Sequence, residues 1–385
     1  MAKIFRDEDY RPRPNRRGSR PRTKNRPDHK DAVSGLVTAV DRGRYRVILA
    51  DDDGNFPSTP PTRKKKGKRP SGATSVTAVR ASHLRKQAIV PGDIVRLVGD
   101  TSGAEGTLAR LVEITERQTL LRRSADDTDP TERVLVANVD VMGIVTATMD
   151  PDPSFGLIDR ALVAAFDAGI TPLLIVTKTD LHPATELQER FSASGVDIVE
   201  SSVAPAAESS DTATTESTAN DSAHDANDSA CDADDSDRNE SEPHAEVAER
   251  LRGRISVLVG HSGVGKSTLT NVLVPAAERA TGHVNDVTGR GRHTSSSAVC
   301  LPLERGGWLI DTPGVRSFGL AHVDRETLIS AFPELVDATA ECPRGCTHLA
   351  DSPGCRLDEW VADGKAGPGG VSRLESLRRL LPSTG

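Results

Sequence analysis

Two short motifs stand in this chain in an unusual order. Residues 176–181 read Val-Thr-Lys-Thr-Asp-Leu, whereas residues 260–268 read Gly-His-Ser-Gly-Val-Gly-Lys-Ser-Thr and match the pattern of a phosphate-binding loop. The first motif has the form of the element with which GTPases read guanine, and in most of them it follows the phosphate-binding loop. Here it precedes the loop, and residues 311–314 (Asp-Thr-Pro-Gly) come after both. This order predicts a circularly permuted GTPase domain.

The phosphate-binding loop lies in the sequence context that its function requires. An apolar strand is expected at 255–259, directly before it, and a helix is expected from about Ser267. The glycines let the backbone curl so that successive N–H groups point at phosphate oxygens, and the helix adds its positive N-terminal end. Lys266 is expected to reach the β- and γ-phosphates, and Ser267 to bind Mg²⁺. The predicted nucleotide contacts of this loop are Gly260, His261, Ser262, Gly263, Val264, Gly265, Lys266, Ser267 and Thr268.

Asp180 determines which base the predicted site accepts. Its carboxylate can accept hydrogen bonds from the ring N–H and the exocyclic amine of guanine, and adenine offers no such pair of donors. Lys178 is expected to pack its aliphatic stem against the base, and a backbone contact to the guanine carbonyl is expected near Ser201. A phosphate-loop ATPase or kinase is the alternative, which Asp180 disfavours. The predicted residues around the base are Thr177, Lys178, Thr179, Asp180, Ser201 and Ser202.

Residues 289–295 (Gly-Arg-Gly-Arg-His-Thr-Ser) lie between the phosphate-binding loop and Asp311, where GTPases carry a mobile switch segment. The glycines allow hinge movement, and Thr294, with Ser295 as the alternative, is expected to bind Mg²⁺ when a γ-phosphate is present. Asp311 ends an apolar run and is expected to lie beside the metal ion. Gly314 is expected to present its backbone N–H to the γ-phosphate.

The sequence lacks the residue that usually orients the attacking water in GTPases. Many GTPases place a glutamine directly after the Asp-Thr-Pro-Gly motif to orient the water, whereas this chain has Val315, which cannot do so. His293 is therefore the predicted catalytic residue, as the group that positions the water. The alternative is that His293, which lies beside arginines, packs or contacts RNA.

Four potential metal ligands lie close together near the C-terminal end of the sequence. Cys342, Cys346, His348 and Cys355 offer three thiolates and one imidazole. Such a set closes a tetrahedral Zn²⁺ site and leaves no open position for catalysis, so one structural zinc ion per chain is predicted. The alternative is a group of unligated cysteines beside an unrelated histidine.

Charge is distributed unevenly along the chain, which has a formal net charge of −7. Positive charge concentrates in the N-terminal arm and at 63–69, whereas Asp and Ser dominate 208–242. The basic segments suit a polyanion such as RNA, and a solubilising tail is the alternative. There is no run of about 18 apolar residues, and the Arg-rich N-terminus does not resemble a secretory signal. We therefore expect a cytoplasmic protein without membrane contact.

The pattern along the chain predicts a multidomain protein. Short strands with turn signals suggest a small barrel, an OB-fold first and an SH3-like barrel as the alternative. Alternating strands and helices then predict a central α/β domain with a parallel sheet, in which 137–147 is expected as a single strand. The expected segments are a basic disordered arm (1–33), an OB-fold RNA-binding domain (34–124, polar insertion 51–75), the permuted GTPase domain (125–318, acidic disordered insertion about 205–243) and a helical zinc-binding domain (319–385).

Together these residues resemble the RsgA (YjeQ) family, the small-subunit-dependent ribosomal GTPases of bacteria. Two departures stand out. Thr177 occupies a position where the family usually has Asn, and the zinc motif is C-x3-C-x-H-x6-C where the family usually has C-x4-C-x-H-x5-C. The total span of the zinc motif is equal, so the four ligands are carried over. The stretches that carry the resemblance are 91–95, 136–140, 289–294, 311–314 and 353–355.

The resemblance implies a Mg²⁺-dependent GTPase that acts on the small ribosomal subunit late in its assembly. It also implies slow intrinsic hydrolysis that the subunit stimulates. The implied partners are GTP or GDP, the small subunit and its rRNA, and we expect a monomer. The alternative is a non-catalytic RNA-binding assembly chaperone in which the nucleotide is a structural ligand. That alternative predicts RNA binding that does not distinguish GTP from GDP.

Overall fold

The computed structural model describes most of the chain outside the polar segments. The acidic insertion, the switch segment and most of the basic arm lie outside the described residues. No helix within the described part is long and apolar enough to cross a bilayer. The described residues are 29–58, 73–123, 133–201, 244–274, 298–312, 318–320 and 322–383.

Of the described strands, the first five form a closed barrel. The strands follow the order β1-β2-β3-β5-β4, and β4 also pairs with β1 to close it. β3 and β5 run parallel, whereas the other neighbours are antiparallel. This arrangement confirms the predicted OB-like barrel. The strands are β1 (Val33–Asp41), β2 (Arg44–Leu49), β3 (Ser75–Arg80), β4 (Ile94–Gly99) and β5 (Ala109–Ile114), and a 3-10 turn (Ser82–Leu84) follows β3.

An antiparallel pair of strands that the sequence pattern did not predict follows the barrel. β6 (Leu120–Arg123) pairs with β7 (Arg133–Ala137). The prediction of one strand over 137–147 is wrong, because β7 ends where that strand was expected to begin. The next strand, β8 (Val141–Ala147), starts only after a turn.

Asn138 is the reason for this break between β7 and β8. Its backbone has a φ of +54°, a left-handed conformation that a strand cannot contain. Its side chain accepts a hydrogen bond from the Gln118 N–H at 2.8 Å and donates one to the Gly92 carbonyl at 2.9 Å. Both partners are distant in sequence, so the pattern of apolar residues alone could not predict the turn.

The central α/β sheet continues with parallel strands. Its order is β10-β9-β8-β11-β13-β12, and β12 is antiparallel to its neighbour β13. All seven residues of β8 are buried, as expected for a strand covered on both faces. The carboxyl ends of the parallel strands share one edge of the sheet, where ligands of such sheets bind. The elements are α1 (Phe155–Asp167), β9 (Thr171–Thr177), α2 (Thr185–Phe191), β10 (Asp197–Ser201), α3 (Ala245–Leu251), β11 (Ile255–Val259), α4 (Lys266–Leu273), β12 (Val299–Pro302) and β13 (Trp308–Asp311).

The barrel and the α/β sheet are joined edge to edge. Ala39 of β1 pairs with Val299 of β12, so the two sheets become continuous. The Trp308 indole N–H donates to the Phe56 carbonyl at 3.1 Å across the same junction. β12 is the first described strand after the predicted switch segment, and it therefore links that part of the chain to the barrel.

The C-terminal region is helical, as predicted. Its helices bury an apolar cluster of their own that includes Phe332 and Leu377. Arg373 lies within this region at 1% side-chain exposure, donates to Asp159 of α1 at 2.7 Å and to Glu334, and stacks on Phe332. This buried ion pair network fastens the helices to the α/β domain. The elements are α5 (Arg325–Ser330), α6 (Pro333–Ala340), α7 (Leu357–Ala362), α8 (Gly370–Leu380) and a final 3-10 turn (Leu381–Ser383).

Candidate nucleotide and metal sites

The phosphate-binding loop connects β11 to α4 in a conformation that depends on glycine. Gly260 has a φ of +153°, and a Cβ at this position would lie 2.2 Å from the Val145 carbonyl oxygen. Gly265, the N-cap of α4, has a φ of +90°. Larger residues would clash at the first position and be strained at the second. The glycine spacing therefore produces the curled backbone that the motif requires.

Lys266 and Asp311 place opposite charges at this loop. The Lys266 ammonium group lies over the loop and donates to the Gly260 carbonyl at 2.8 Å and to the His261 carbonyl. Asp311 ends β13, the next strand in the sheet. Desolvation raises the pKa of the Asp311 carboxyl although the residue is accessible, and the charge of Lys266 acts in the opposite direction. Ser267 is exposed in the first turn of α4, so its hydroxyl can add an oxygen ligand beside them.

Thr177 connects the base-reading motif to the phosphate-binding loop. It is the last residue of β9, and its hydroxyl donates to the Val264 carbonyl at 2.7 Å. The hydroxyl is also 3.2 Å from the Thr146 carbonyl at the end of β8. Thr177 is 6% exposed, so this contact is shielded from water. The residue that departs from the usual family pattern thus holds two parts of the site together.

Lys178, directly after β9, adopts an unusual backbone conformation. Its φ is +58°, in the left-handed region that most side chains avoid. The Thr148 hydroxyl donates to the Lys178 carbonyl at 2.8 Å, and the Lys178 ammonium group donates to the Asp150 carbonyl. Thr179 and Asp180 follow, and Asp180 is exposed. The aspartate is therefore accessible to a base.

The loop after β8 is a part of the site that the sequence analysis missed. Besides the two contacts to Lys178, its Pro151 Cδ lies 3.4 Å from the position of a Cβ on Gly263. The loop thus borders both the base-reading and the phosphate-binding segments. Its signal in the sequence was indirect, because β8 ends at the same sheet edge as β9 and β11.

The structure brings together most of the residues predicted to contact nucleotide. Ser201 ends β10 beside Thr177, is fully buried, and its hydroxyl has no hydrogen-bond partner among the described residues. His261, Ser262, Gly263 and Thr268 are exposed, and Val264 packs inward. The predicted residues that lie outside the described part of the chain are Ser202, His293, Thr294 and Gly314.

Replacing Thr177 by valine is expected to weaken nucleotide binding by about tenfold. The change keeps the side-chain shape but leaves the Val264 carbonyl without its donor, at a cost of about 1–2 kcal/mol. Titration with a fluorescent GTP analogue measures the effect. Thr171→Val, at the exposed start of the same strand, is the matched control and is expected to bind normally. Equal affinities of the two variants would show that the contact does not support the site.

The second candidate site is the cluster of three cysteines and one histidine between α6 and α7. The ligand atoms of Cys342, Cys346, His348 and Cys355 all lie within 4.8 Å of one another. His348 has a φ of +58° and Gly354 a φ of +73°, and these turns bring the ligands together despite the altered spacing. The cluster can hold a metal ion.

The surroundings of this cluster fit a bound cation. The Cys342 and Cys346 sulfurs accept hydrogen bonds from the backbone N–H groups of Arg356 and His348, at 3.3 and 3.4 Å. Burial raises the pKa of the Cys342 thiol to about 11. Desolvation opposes ionisation of Cys346 too, but hydrogen bonds from Ser352 and the His348 N–H lower its pKa.

The state of His348 also suits a ligand. Burial, assisted by Arg325, lowers the pKa of His348, which keeps its imidazole neutral near pH 7. The ring Nδ1 is buried and has no hydrogen-bond partner within the described part of the chain. A cation at the cluster would supply such a partner and stabilise the thiolates.

Comparison with known proteins identifies relatives of this chain. The sequence profile of the RsgA GTPase family matches residues 114–215 and 208–321. The small ribosomal subunit biogenesis GTPase RsgA of Burkholderia pseudomallei (strain 668) is 36% identical over 279 residues, which cover 70% of this chain and 77% of the relative. The protein of the same name from Pseudomonas syringae pv. tomato is 36% identical over 310 residues, covering 78% and 77%.

Two solved structures share the fold. YjeQ from Thermotoga maritima superposes with a TM-score of 0.59 at 23% identity, covering 91% of this chain and 98% of that chain. YloQ, described as a circularly permuted GTPase, superposes with a TM-score of 0.57 at 20% identity, covering 93% and 97%. Each likeness covers more than nine tenths of this chain.

Proposed function

Because the chain belongs to the RsgA GTPase family, we propose that it binds the small ribosomal subunit and assists its late maturation, with GTP hydrolysis stimulated by the subunit. The family assignment confirms the resemblance inferred from the sequence. The protein is a GTPase. The observation that carries the proposal is the contact between Thr177 and Val264, which unites the base-reading and phosphate-binding motifs at one sheet edge in permuted order.

Each residue of the site has a role in the proposed hydrolysis. The backbone N–H groups of the loop and the Lys266 ammonium group hold the phosphates and neutralise charge that develops on them. Asp180 and Lys178 orient guanine. Ser267 and Thr294 would hold Mg²⁺ with Asp311 beside it, and the ion would offset phosphate charge. Gly314 would add a backbone N–H to the γ-phosphate.

His293→Ala is expected to bind GTP normally but to lose the hydrolysis that small subunits stimulate. In this proposal the imidazole positions the attacking water once the switch segment is ordered, so its loss affects turnover and not affinity. Stimulated turnover and GTP affinity are measured side by side, with His261→Ala, an exposed histidine of the phosphate-binding loop, for comparison. Stimulated turnover that survives the change at position 293 would assign the water to another group.

The join between the barrel and the α/β sheet supports coupling to the subunit. β12, which follows the switch segment in the chain, pairs with β1 of the barrel, so RNA bound at the barrel would act on the strand next to the switch. The relatives named above carry the small ribosomal subunit in their names. A cytosolic monomer that docks on subunit rRNA through its barrel and C-terminal helices fits this proposal.

We assign the cysteine and histidine cluster to a structural zinc ion. Cys355→Ser is expected to reduce the zinc content from one ion per chain to near zero and to lower the melting temperature, because metal binding supplies folding free energy. Elemental analysis and thermal unfolding measure both effects. Cys231→Ser, in the acidic insertion, is the control that should keep its zinc. A Cys355→Ser protein that retains one zinc ion would contradict the assignment.

The non-catalytic chaperone is the rival from another class. It predicts that small subunits bind this protein equally well with GTP or GDP, whereas the proposal predicts a preference for the GTP state. Sedimentation with purified subunits, with a non-hydrolysable GTP analogue or with GDP, separates the two. Equal binding in both nucleotide states would favour the chaperone.

A further inference from the structure

We infer that an arginine-lined cleft on the barrel binds the phosphodiester backbone of RNA. The cleft has a volume of about 390 Å³ and lies where β3, the following 3-10 turn and β5 meet. This inference deepens the proposed function, because it names a surface through which the protein would contact subunit rRNA. The lining residues are Val79, Arg80, Ala81, Ser82, Arg85 and Arg110.

Three separate elements contribute the arginines that line the cleft. Arg80 is the last residue of β3, Arg85 follows the 3-10 turn, and Arg110 is the second residue of β5. The parallel register sets Arg110 beside Val79, the neighbour of Arg80. All three arginines are exposed. The convergence therefore follows from the barrel topology and is not visible as a basic run in the sequence.

These three arginines differ from their neighbours in charge pairing. Within the part of the chain that the structure describes, none of them forms an ion pair, and no carboxylate lines the cleft. Elsewhere on the barrel Arg117 binds Asp93 at 2.7 Å, and Arg96 lies 4.0 Å from Glu113. Grouped like charges repel each other, and an anionic ligand would offset that repulsion.

The chemistry of the lining favours phosphate over bases. Guanidinium groups bind phosphate oxygens through paired, charge-assisted hydrogen bonds, and the Ser82 side chain offers a further donor. Among the described residues no aromatic side chain lines the cleft for stacking, and Tyr45 of the same barrel is buried. The ring of nearby His83 lies 2.8 Å from the Val112 carbonyl. The contacts would fix the position of RNA without reading its sequence.

The test compares two triple variants of the full chain. Arg80→Gln, Arg85→Gln and Arg110→Gln together are expected to weaken binding to a mixed-sequence RNA oligonucleotide and to purified small subunits by about one to two orders of magnitude, since each solvent-exposed charge pair is worth roughly two- to fivefold. The dependence of log affinity on log salt should fall by about one for each arginine. Intrinsic GTP turnover should not change. The control variant replaces Arg250, Arg252 and Arg305, which pair with surface carboxylates, by glutamine and alters net charge equally.

The outcomes separate this inference from the proposed function. If RNA affinity falls equally in both triple variants, the cleft is not the RNA-binding site, because the change in net charge alone would explain the loss. If the triple variant of the cleft loses binding to a polyglutamate probe but binds RNA normally, the cleft is a protein-docking surface and not an RNA-binding site. Replacement of the three arginines by lysine should restore most RNA binding, which excludes misfolding. If subunits fail to stimulate GTP turnover of the unaltered protein, the proposed function is wrong. The RNA-binding measurements would still show whether the cleft binds RNA.

Discussion

Lys266→Ala is expected to reduce GTP turnover by about two to three orders of magnitude, the cost of removing a group that stabilises charge in the transition state. The ammonium group lies within the curl of the loop, 2.8 Å from the Gly260 carbonyl, where phosphates would bind. Lys266→Arg is expected to remain defective, because a planar guanidinium cannot replace a compact point charge in this narrow loop. Turnover with saturating GTP and Mg²⁺ measures both effects.

A lysine elsewhere provides the control for this experiment. Lys365→Ala removes the same charge from a half-exposed position that pairs with Asp363 and lies over the Trp360 ring. That variant is expected to turn over GTP at the normal rate. The assignment of the phosphate-binding loop would be wrong if Lys266→Ala retained turnover within about threefold of the unaltered protein.

Arg373→Met is expected to destabilise the C-terminal helices by about 3–5 kcal/mol, the cost of leaving a buried charge without its partner. The guanidinium group is 1% exposed and binds Glu334 and Asp159, whose side chains are 1% and 0% exposed. In this variant Asp159 still has a positive partner, Arg379 at 3.2 Å, so Glu334 is the carboxylate that is left without one. The fluorescence of Trp360, whose indole N–H donates to the Glu334 carbonyl, reports unfolding in urea in a Trp308→Phe background.

An exposed ion pair in the same region gives the matched control. Arg356 and Glu359 are more than half exposed, and Arg356→Gln is expected to cost less than about 1 kcal/mol. Combining Arg373→Met with Glu334→Met should recover part of the stability, because the uncompensated charge is then removed. Equal unfolding free energies for Arg373→Met and Arg356→Gln would show that the buried network is not what fastens these helices.

Local patterns predicted the parts of the fold that depend on neighbouring residues. The strand 255–259 lies where the sequence analysis expected it, because it buries one continuous apolar run. The phosphate-binding loop can curl because positions 260 and 265 hold glycine. A larger residue would clash at position 260 and be strained at position 265. The four ligands of the cysteine and histidine cluster converge despite their altered spacing, since flexible turns absorb one residue.

Contacts between distant segments could not be predicted in this way. Thr177 is predicted to lie near the base, but the local sequence does not indicate that its hydroxyl donates to a carbonyl 87 positions away. The pairing of β1 with β12 and the turn at Asn138 likewise depend on partners far along the chain. Arg373 belongs to a segment with the ordinary sequence pattern of an amphipathic helix. That pattern does not indicate that the charge of Arg373 is buried. Such features follow from how elements pack and not from local preference.

We propose that this protein hydrolyses GTP in response to the small ribosomal subunit. The most direct test is turnover of GTP and of ATP, each with and without purified small subunits. We expect subunits to raise GTP turnover by about tenfold or more and to leave ATP turnover unchanged, because adenine lacks the pair of hydrogen-bond donors that the Asp180 carboxylate accepts from guanine. GTP turnover that does not change when subunits are added, or turnover of ATP that matches that of GTP at the same concentration, would contradict this proposal.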